Sequence, residues 1–227
     1  MFKRLNILLA EQDKDFASII KNYLVSKGYA ITICNNGEEA LERFQNERLD
    51  FVLIDVNIPV ISGFDITTAI RDKDNVLPVV FIGSHPHQME ILRAFNAGAD
   101  DFVSLPFSME ELGLRIEAIL KRLYTNERRQ KIYKFGSYTL DTIHHELIHN
   151  GKARKLTVRE LDLLTLFCKN VNKIVERATV LQHIWHTENY FNARNMDVYI
   201  RRLRNMLADD PNVRLENVHG VGYKLVA

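Results

Sequence analysis

The chain has 227 residues with 46% hydrophobic and 26% charged side chains. Domains run to roughly 100–200 residues, so two small domains are expected, and this composition argues against wholesale disorder. No apolar run reaches the ~18 residues of a membrane helix, which excludes an integral membrane protein. The N-terminal MFKRLNILLAEQD has too short an apolar stretch for a signal peptide, so a cytoplasmic location is expected. Cys34 and Cys168 share no local spacing, against a disulfide scaffold or zinc cage.

The net charge of +1 conceals an asymmetry. Residues 1–124 carry 13 Lys and Arg against 18 Asp and Glu, a balance of −5, while residues 125–227 carry 17 against 11, a balance of +6. A basic half behind an acidic one points to a polyanion as partner of the second half.

In the first half, apolar runs alternate with helical patterns. The runs are Leu5–Ala10, Tyr29–Cys34, Phe51–Ile54, Val79–Ile82 and Phe102–Ser104. Each is continuous and rich in β-branched or aromatic residues, as expected of strands buried on both faces. Phe16, Ile19, Ile20, Tyr23 and Leu24 recur at helical spacing, and further helices are predicted over Glu38–Asn46, Phe64–Arg71, Gln88–Ala97 and Met109–Leu123. Five βα repeats imply a parallel, doubly wound α/β sheet with helices on both faces.

Residues 124–132 (YTNERRQKI) are polar and read as a linker. The second domain, residues 133–227, follows an α+β pattern. Strands are predicted over Tyr133–Asp141 and His145–Asn150, with Asn150-Gly151 as a hairpin turn. Helices are predicted over Val158–Lys169, Ala178–Trp185 and Ala193–Leu207, the first opened by a Thr157/Glu160 capping box. A closing hairpin joins Val213–Val218 to Tyr223–Val226. Three helices and a terminal hairpin are the layout of a winged helix-turn-helix.

On a helical wheel the last helix gathers Met196, Tyr199, Ile200, Leu203, Met206 and Leu207 into one apolar sector. The opposite sector holds Arg194, Asn195, Val198, Arg201, Arg202 and Asn205, with Arg204 at its edge. Arg can bond guanine, Asn adenine, and Val can touch the thymine methyl in a major groove. Asp197 would repel phosphate, so it is expected to pair with a neighbouring basic side chain.

NARNMDVYIRRLRNML followed by NVHGVGYKL resembles the C-terminal domain of OmpR/PhoB-type response regulators. The first half, from ILLAEQD through IDVNIP to LPFSMEELGLRIEAILKR, resembles their receiver domain, residues 1–123 here. The resemblance implies a five-stranded receiver sheet of order 2-1-3-4-5, a recognition helix in the major groove and a wing in the adjacent minor groove. It implies that Arg177, Trp185 and Tyr223 hold phosphates, and His219 stands where a wing Arg is usual. Such proteins bind double-stranded DNA as dimers on half-sites about 10–11 bp apart.

In the receiver, the resemblance makes Asp55 the phosphoacceptor, and Glu11, Gln12 and Asn57 the residues of a Mg²⁺ site. Four positions depart from the pattern: Gln12 replaces an acid, Gly83 a Thr or Ser, Leu105 the Lys before Pro106, and Ser62 an Asp. Mg²⁺ favours carboxylates, so its binding here is expected to be weak, and no cofactor is required. Two readings stay open: a weakened acceptor served by a sensor histidine kinase, or a remnant in a phosphate-independent dimerisation module.

The family's dimer face maps onto Ile91, Leu92, Phe95, Asp100, Asp101, Glu111, Arg115 and Arg122. Basic residues are usual at the positions of Ile91 and Glu117. Hence an apolar dimer face is expected around Ile91, Leu92 and Phe95. The resulting reading is a sequence-specific transcriptional regulator, not an enzyme, acting as a homodimer. An interaction or phosphotransfer module binding protein or RNA is the alternative of another class.

Overall fold

The computed structural model describes residues 4–84, 88–124, 132–185 and 190–227, with the backbone alone at 88, 122, 124, 185 and 190–195. The chain divides into two compact units, Met1–Tyr124 and Thr125–Ala227. Most of the 124–132 linker lies outside the described residues.

The first unit alternates β1 (Asn6–Ala10), α1 (Lys14–Ser26), β2 (Ala30–Cys34), α2 (Gly37–Asn46), β3 (Phe51–Asp55), α3 (Gly63–Lys73), β4 (Val79–Ser84), α4 (Gln88–Ala97), β5 (Asp101–Leu105) and α5 (Met109–Tyr124). Its five parallel strands run in the order β2-β1-β3-β4-β5. Ile7–Ala10, Phe51–Ile54 and Val79–Ile82 are buried throughout, as unbroken apolar runs of a two-sided sheet must be. On one face Ile7, Leu9 and Leu53 pack with Ile20 and Leu24 of α1 and Leu112 and Ile116 of α5. On the other, Phe81 stacks on Phe64 of α3. Helix starts are fixed by side chains that accept otherwise unpaired N–H groups: Asp13 for α1, Asn36 for α2 and Ser62 for α3.

The second unit opens with an antiparallel meander of β6 (Ile132–Phe135), β7 (Tyr138–Asp141), β8 (Glu146–His149) and β9 (Lys152–Lys155). The single strand expected over 133–141 is therefore two, broken at Gly136 (φ +52°) and Ser137. Asn150 and Gly151, with φ of 48° and 76°, make the predicted hairpin turn into β9. All four residues of β9 are exposed on the sheet's edge.

Then come α6 (Val158–Lys169), β10 (Ile174–Glu176), α7 (Arg177–Trp185), α8 (Tyr190–Met206), β11 (Arg214–Val218) and β12 (Gly222–Val226). The capping box at Thr157 and Glu160 is present. The three-residue β10 was not expected from sequence, and it pairs with β12 in a sheet of order β10-β12-β11. The whole apolar sector of α8, from Met196 to Leu207, is buried. Cys34 and Cys168 are buried free thiols, pushed up to about 12 by burial and so inert. Among the described residues no helix is long and apolar enough to cross a membrane.

Candidate functional site

In the receiver, β1 and β3 are neighbours with Ala10 opposite Ile54. Their carboxyl ends therefore bring Glu11 and Asp55 together at the reversal of strand order, where open α/β sheets bind ligands. Asp55 Oδ1 accepts the Asn57 N–H at 3.1 Å. Burial raises the Asp55 carboxyl above its ordinary range, against the opposing pull of the Asn57 and Val56 N–H groups. Glu11 is 4% exposed. Burial pushes it up to about 7, with the Asp55 and Asp13 charges adding, although its Oε1 accepts the Asp13 N–H at 2.9 Å. Among the described residues no Lys or Arg forms an ion pair with either carboxylate.

The end of β5 explains part of that electrostatics. Leu105 lies opposite Ser84 in the β4–β5 register, so this strand end carries an isobutyl group and no ammonium. Gly83, one residue earlier, is tightly enclosed. A Cβ there would lie 2.7 Å from Val56 Cγ1 and 3.4 Å from Phe102 Cζ. Phe102 is buried and stacks on Phe81 at 6.1 Å, Phe81 on Phe64 at 5.4 Å, and the Arg93 guanidinium lies 4.3 Å from the Phe64 ring centre. An aromatic ladder thus holds Phe102 inward from α3 through β4 to β5, and Val56 fills the space a side chain at position 83 would need.

The pocket fits Mg²⁺ poorly. Glu11 and Asp55 supply carboxylates at the strand ends, while Gln12 offers only a neutral amide. Asp13, the nearest further acid, spends Oδ1 on the Asp15 and Phe16 N–H groups as the cap of α1. No cluster of three or more His, Cys, Asp or Glu side chains that could hold a metal occurs among the described residues. A small, reluctantly dehydrating dication needs more charge than this donor set provides.

Four of the described positions of the expected dimer face are buried within this chain. Ile91 and Phe95 are buried, because with Ala94 they form the stripe by which α4 packs on its own domain. Asp100 is wholly buried, its Oδ2 2.8 Å from Arg71 Nη2. Leu92 is half-buried, and Met89 and Leu114 are the exposed apolar side chains of α4 and α5 among the described residues. Asp101, also buried, pairs with Arg115 at 3.0 Å, and Arg115 with Glu111 at 2.9 Å, so these charges are matched within one chain. The Arg122 side chain lies outside the described residues.

In the second unit, α8 and the β11–β12 hairpin enclose a groove of about 490 Å³ lined by Arg177, Asp197, Arg204, Asn217, His219 and Tyr223, among others. Asp197 pairs with Arg177 at 2.9 Å, the kind of basic partner expected for it. Arg204 donates from Nε to the Leu215 carbonyl at 2.7 Å and from Nη2 to Asn217 Oδ1 at 2.8 Å, tying α8 to β11. Arg202 turns toward the domain body, 3.3 Å from Glu160 Oε1 and over the Tyr199 ring. Arg201 is exposed with no ion-pair partner among the described residues, and Val198 is half-buried beside it. His219 is exposed at the hairpin turn next to Gly220, whose φ is +72°. Burial pushes Tyr223 up to about 12, with the Asp197 charge adding, so its hydroxyl keeps its proton. The side chains of Trp185, Arg194 and Asn195 lie outside the described residues.

Sequence reasoning missed Asn217, Val56 and the second partner of Glu160, Arg202. Each acts on a residue distant in sequence, and no local pattern announces such a partner.

Residues 7–117 match the family model of the response regulator receiver domain, and residues 151–225 that of the transcriptional regulatory protein C-terminal domain. The chain is 40% identical over 227 residues to the transcriptional regulatory protein RprY of Bacteroides fragilis, covering 100% of this chain and 96% of RprY. It is 32% identical to the uncharacterized transcriptional regulatory protein YcbL of Bacillus subtilis, over 96% of this chain and 99% of that one. Among solved structures, DrrB of Thermotoga maritima, an OmpR/PhoB homolog, is similar with a TM-score of 0.53 at 27% identity, over 99% of this chain and 100% of DrrB. With a parallel receiver sheet, a winged helix behind it and relatives matched along their whole length, the chain belongs to the OmpR/PhoB family of transcriptional response regulators, DNA-binding proteins rather than enzymes.

Proposed function

We propose that this regulator binds duplex DNA as a homodimer on paired half-sites, and that its output does not depend on phosphorylation of Asp55. The observation that carries the reading is Leu105 at the end of β5, opposite Ser84. Phosphoryl transfer to a carboxylate spreads negative charge over the transferred oxygens, and a nearby cation must offset it. Here Asp55 has no basic ion-pair partner among the described residues, and burial already disfavours its charged form. The close packing beside Gly83 supports the same reading, since Val56 and Phe102 leave little room there for the Thr or Ser side chain that the family carries.

The basic second half, with exposed Arg201 on α8 and His219 on the wing, supports duplex binding. A single winged helix buries only about 600–1,000 Å² on DNA, and a second linked copy multiplies affinity. A sensor histidine kinase has a role only where Asp55 accepts phosphate.

The test is incubation of the full-length protein with acetyl phosphate and Mg²⁺, read by intact mass, with Asp55→Ala as control. A gel shift on a duplex selected from a randomised pool is run with and without the donor. The expected outcome is no stoichiometric adduct and unchanged DNA affinity. A stable, Mg²⁺-dependent adduct that is lost in Asp55→Ala and tightens DNA binding about tenfold or more overturns the proposal.

A further inference from the structure

Three side chains from three elements close a triangle at the groove of the second unit. Arg177 opens α7, Asp197 lies on α8 and Tyr223 on β12. Arg177 Nη1 donates to Asp197 Oδ1 at 2.9 Å and Nη2 to Oδ2 at 3.2 Å, a two-point pair. Nη1 also donates to the Tyr223 hydroxyl at 2.5 Å, which in turn donates to Asp197 Oδ1 at 3.0 Å. The Arg177 and Asp197 side chains are 40% and 56% exposed, so the pair stands in solvent at the lip of the groove. Exposed ion pairs add little to stability. This one nevertheless presents the guanidinium with two anionic oxygens, which is also what a DNA phosphate presents.

We propose that Asp197 is an intramolecular surrogate for DNA phosphate, occupying Arg177 and so suppressing binding to non-operator duplex. The inference deepens the DNA-binding reading and rests on this face being the one that meets DNA. Non-specific binding is the sum of phosphate contacts, each releasing counterions. An arginine already neutralised in place releases none, and the carboxylate beside it repels an approaching backbone. On an operator, base contacts from α8 and the wing supply the free energy that exchanges carboxylate for phosphate. The other guanidinium lining this groove, Arg204, is engaged with Leu215 and Asn217, so Arg177 is the guanidinium whose availability Asp197 sets. Asp197 is on this view a specificity determinant, acting as a positioning residue.

The test uses full-length protein and fluorescence anisotropy over a salt series. One probe is a mixed-sequence duplex of about 30 bp, and the other is the duplex that wild type enriches from a randomised pool. Asp197→Asn keeps the shape and removes the charge. Its mixed-sequence affinity is expected to rise about 3- to 10-fold, with a salt slope steeper by about 0.9, the signature of one added phosphate. The selected duplex gains less, so discrimination falls. In an Arg177→Gln background the same substitution yields no gain. Asp197→Ser gives a second variant with the same expectation, and thermal unfolding confirms that each variant folds. An equal gain with and without Arg177, or unchanged or weaker mixed-sequence binding by a folded variant, overturns the inference and leaves the DNA-contact reading standing. Wild type that binds neither probe overturns both.

Discussion

Asp100 holds its carboxylate 2.8 Å from the Arg71 guanidinium inside the receiver, and the same Oδ2 accepts the Val79 N–H at 2.9 Å. Arg71 also donates to the carbonyls of Gly98, at 2.9 Å, and Leu77, at 2.6 Å. One ion pair thereby fastens α3 to the start of β4 and to the turn before β5. Removing one partner of a buried pair leaves the other charge uncompensated. Asp100→Ala is expected to lower stability by about 3–5 kcal/mol in urea unfolding at neutral pH. A loss below about 1 kcal/mol, the scale of an exposed pair, contradicts this placement.

Restoring the missing ammonium should restore acceptor chemistry. A charge-assisted bond to the phosphoryl oxygens is worth roughly 1.5–3 kcal/mol, or about 10- to 100-fold. Leu105→Lys is expected to raise the yield or lifetime of the Asp55 acyl phosphate by that factor with acetyl phosphate and Mg²⁺. Phosphorylation equal to that of wild type shows that the cation is not what limits the site.

The missing hydroxyl cannot be restored as simply. Because a Cβ at Gly83 would meet Val56 Cγ1 at 2.7 Å, Gly83→Thr is expected to destabilise the receiver by about 1–3 kcal/mol. Val56→Ala in the same chain should recover most of that loss, a coupling read from a double-mutant cycle of denaturant midpoints. Independent, additive effects argue against the contact.

Asp210 sets an acid limit on the second unit. Its Oδ2 accepts the Ser137 N–H at 2.9 Å and hydroxyl at 2.6 Å, and its Oδ1 the Asn212 N–H at 2.9 Å. The Ser137 bonds, then that of Asn212, hold the carboxyl down at about 2 against an ordinary 3.8. A depressed folded value means stability that is fully present above 3.8 and lost as pH falls through about 2. Asp210→Asn is therefore expected to melt below wild type at neutral pH, with the gap closing across that acid range. A gap that stays constant with pH assigns the loss to packing instead.

The β1–β5 strands and their helices are legible because each is a dense local signal of apolar runs or helical period, as in Val79–Ile82 or Ile116–Leu120. The buried face of α8 is legible for the same reason. The burial of Ile91, Phe95 and Asp100 rests on information the local pattern lacks. Around α4, Met89, Ile91, Leu92 and Phe95 spread apolar groups over more than one side, so periodicity does not say which stripe the core takes. Asp100 carries a charge, and charges are usually outside, while its partner Arg71 lies 29 residues away. Within the candidate site, Asp55, Glu11 and the substitution at 105 can be read directly. The seat of Gly83 against Val56 depends on the pairing of β3 with β4 and becomes visible only when the sheet is assembled.

β9 leaves one border of the meander open, with its four side chains in solvent and three of them, Lys152, Arg154 and Lys155, cationic. Unpaired strand borders invite another chain to add on, and like charge is a common defence. Two such borders meeting would bring six positive groups together, and among the described residues Lys155 alone of the three is offset, by Glu146 at 3.0 Å. Like charge along this border therefore opposes edge-to-edge pairing of two copies through β9.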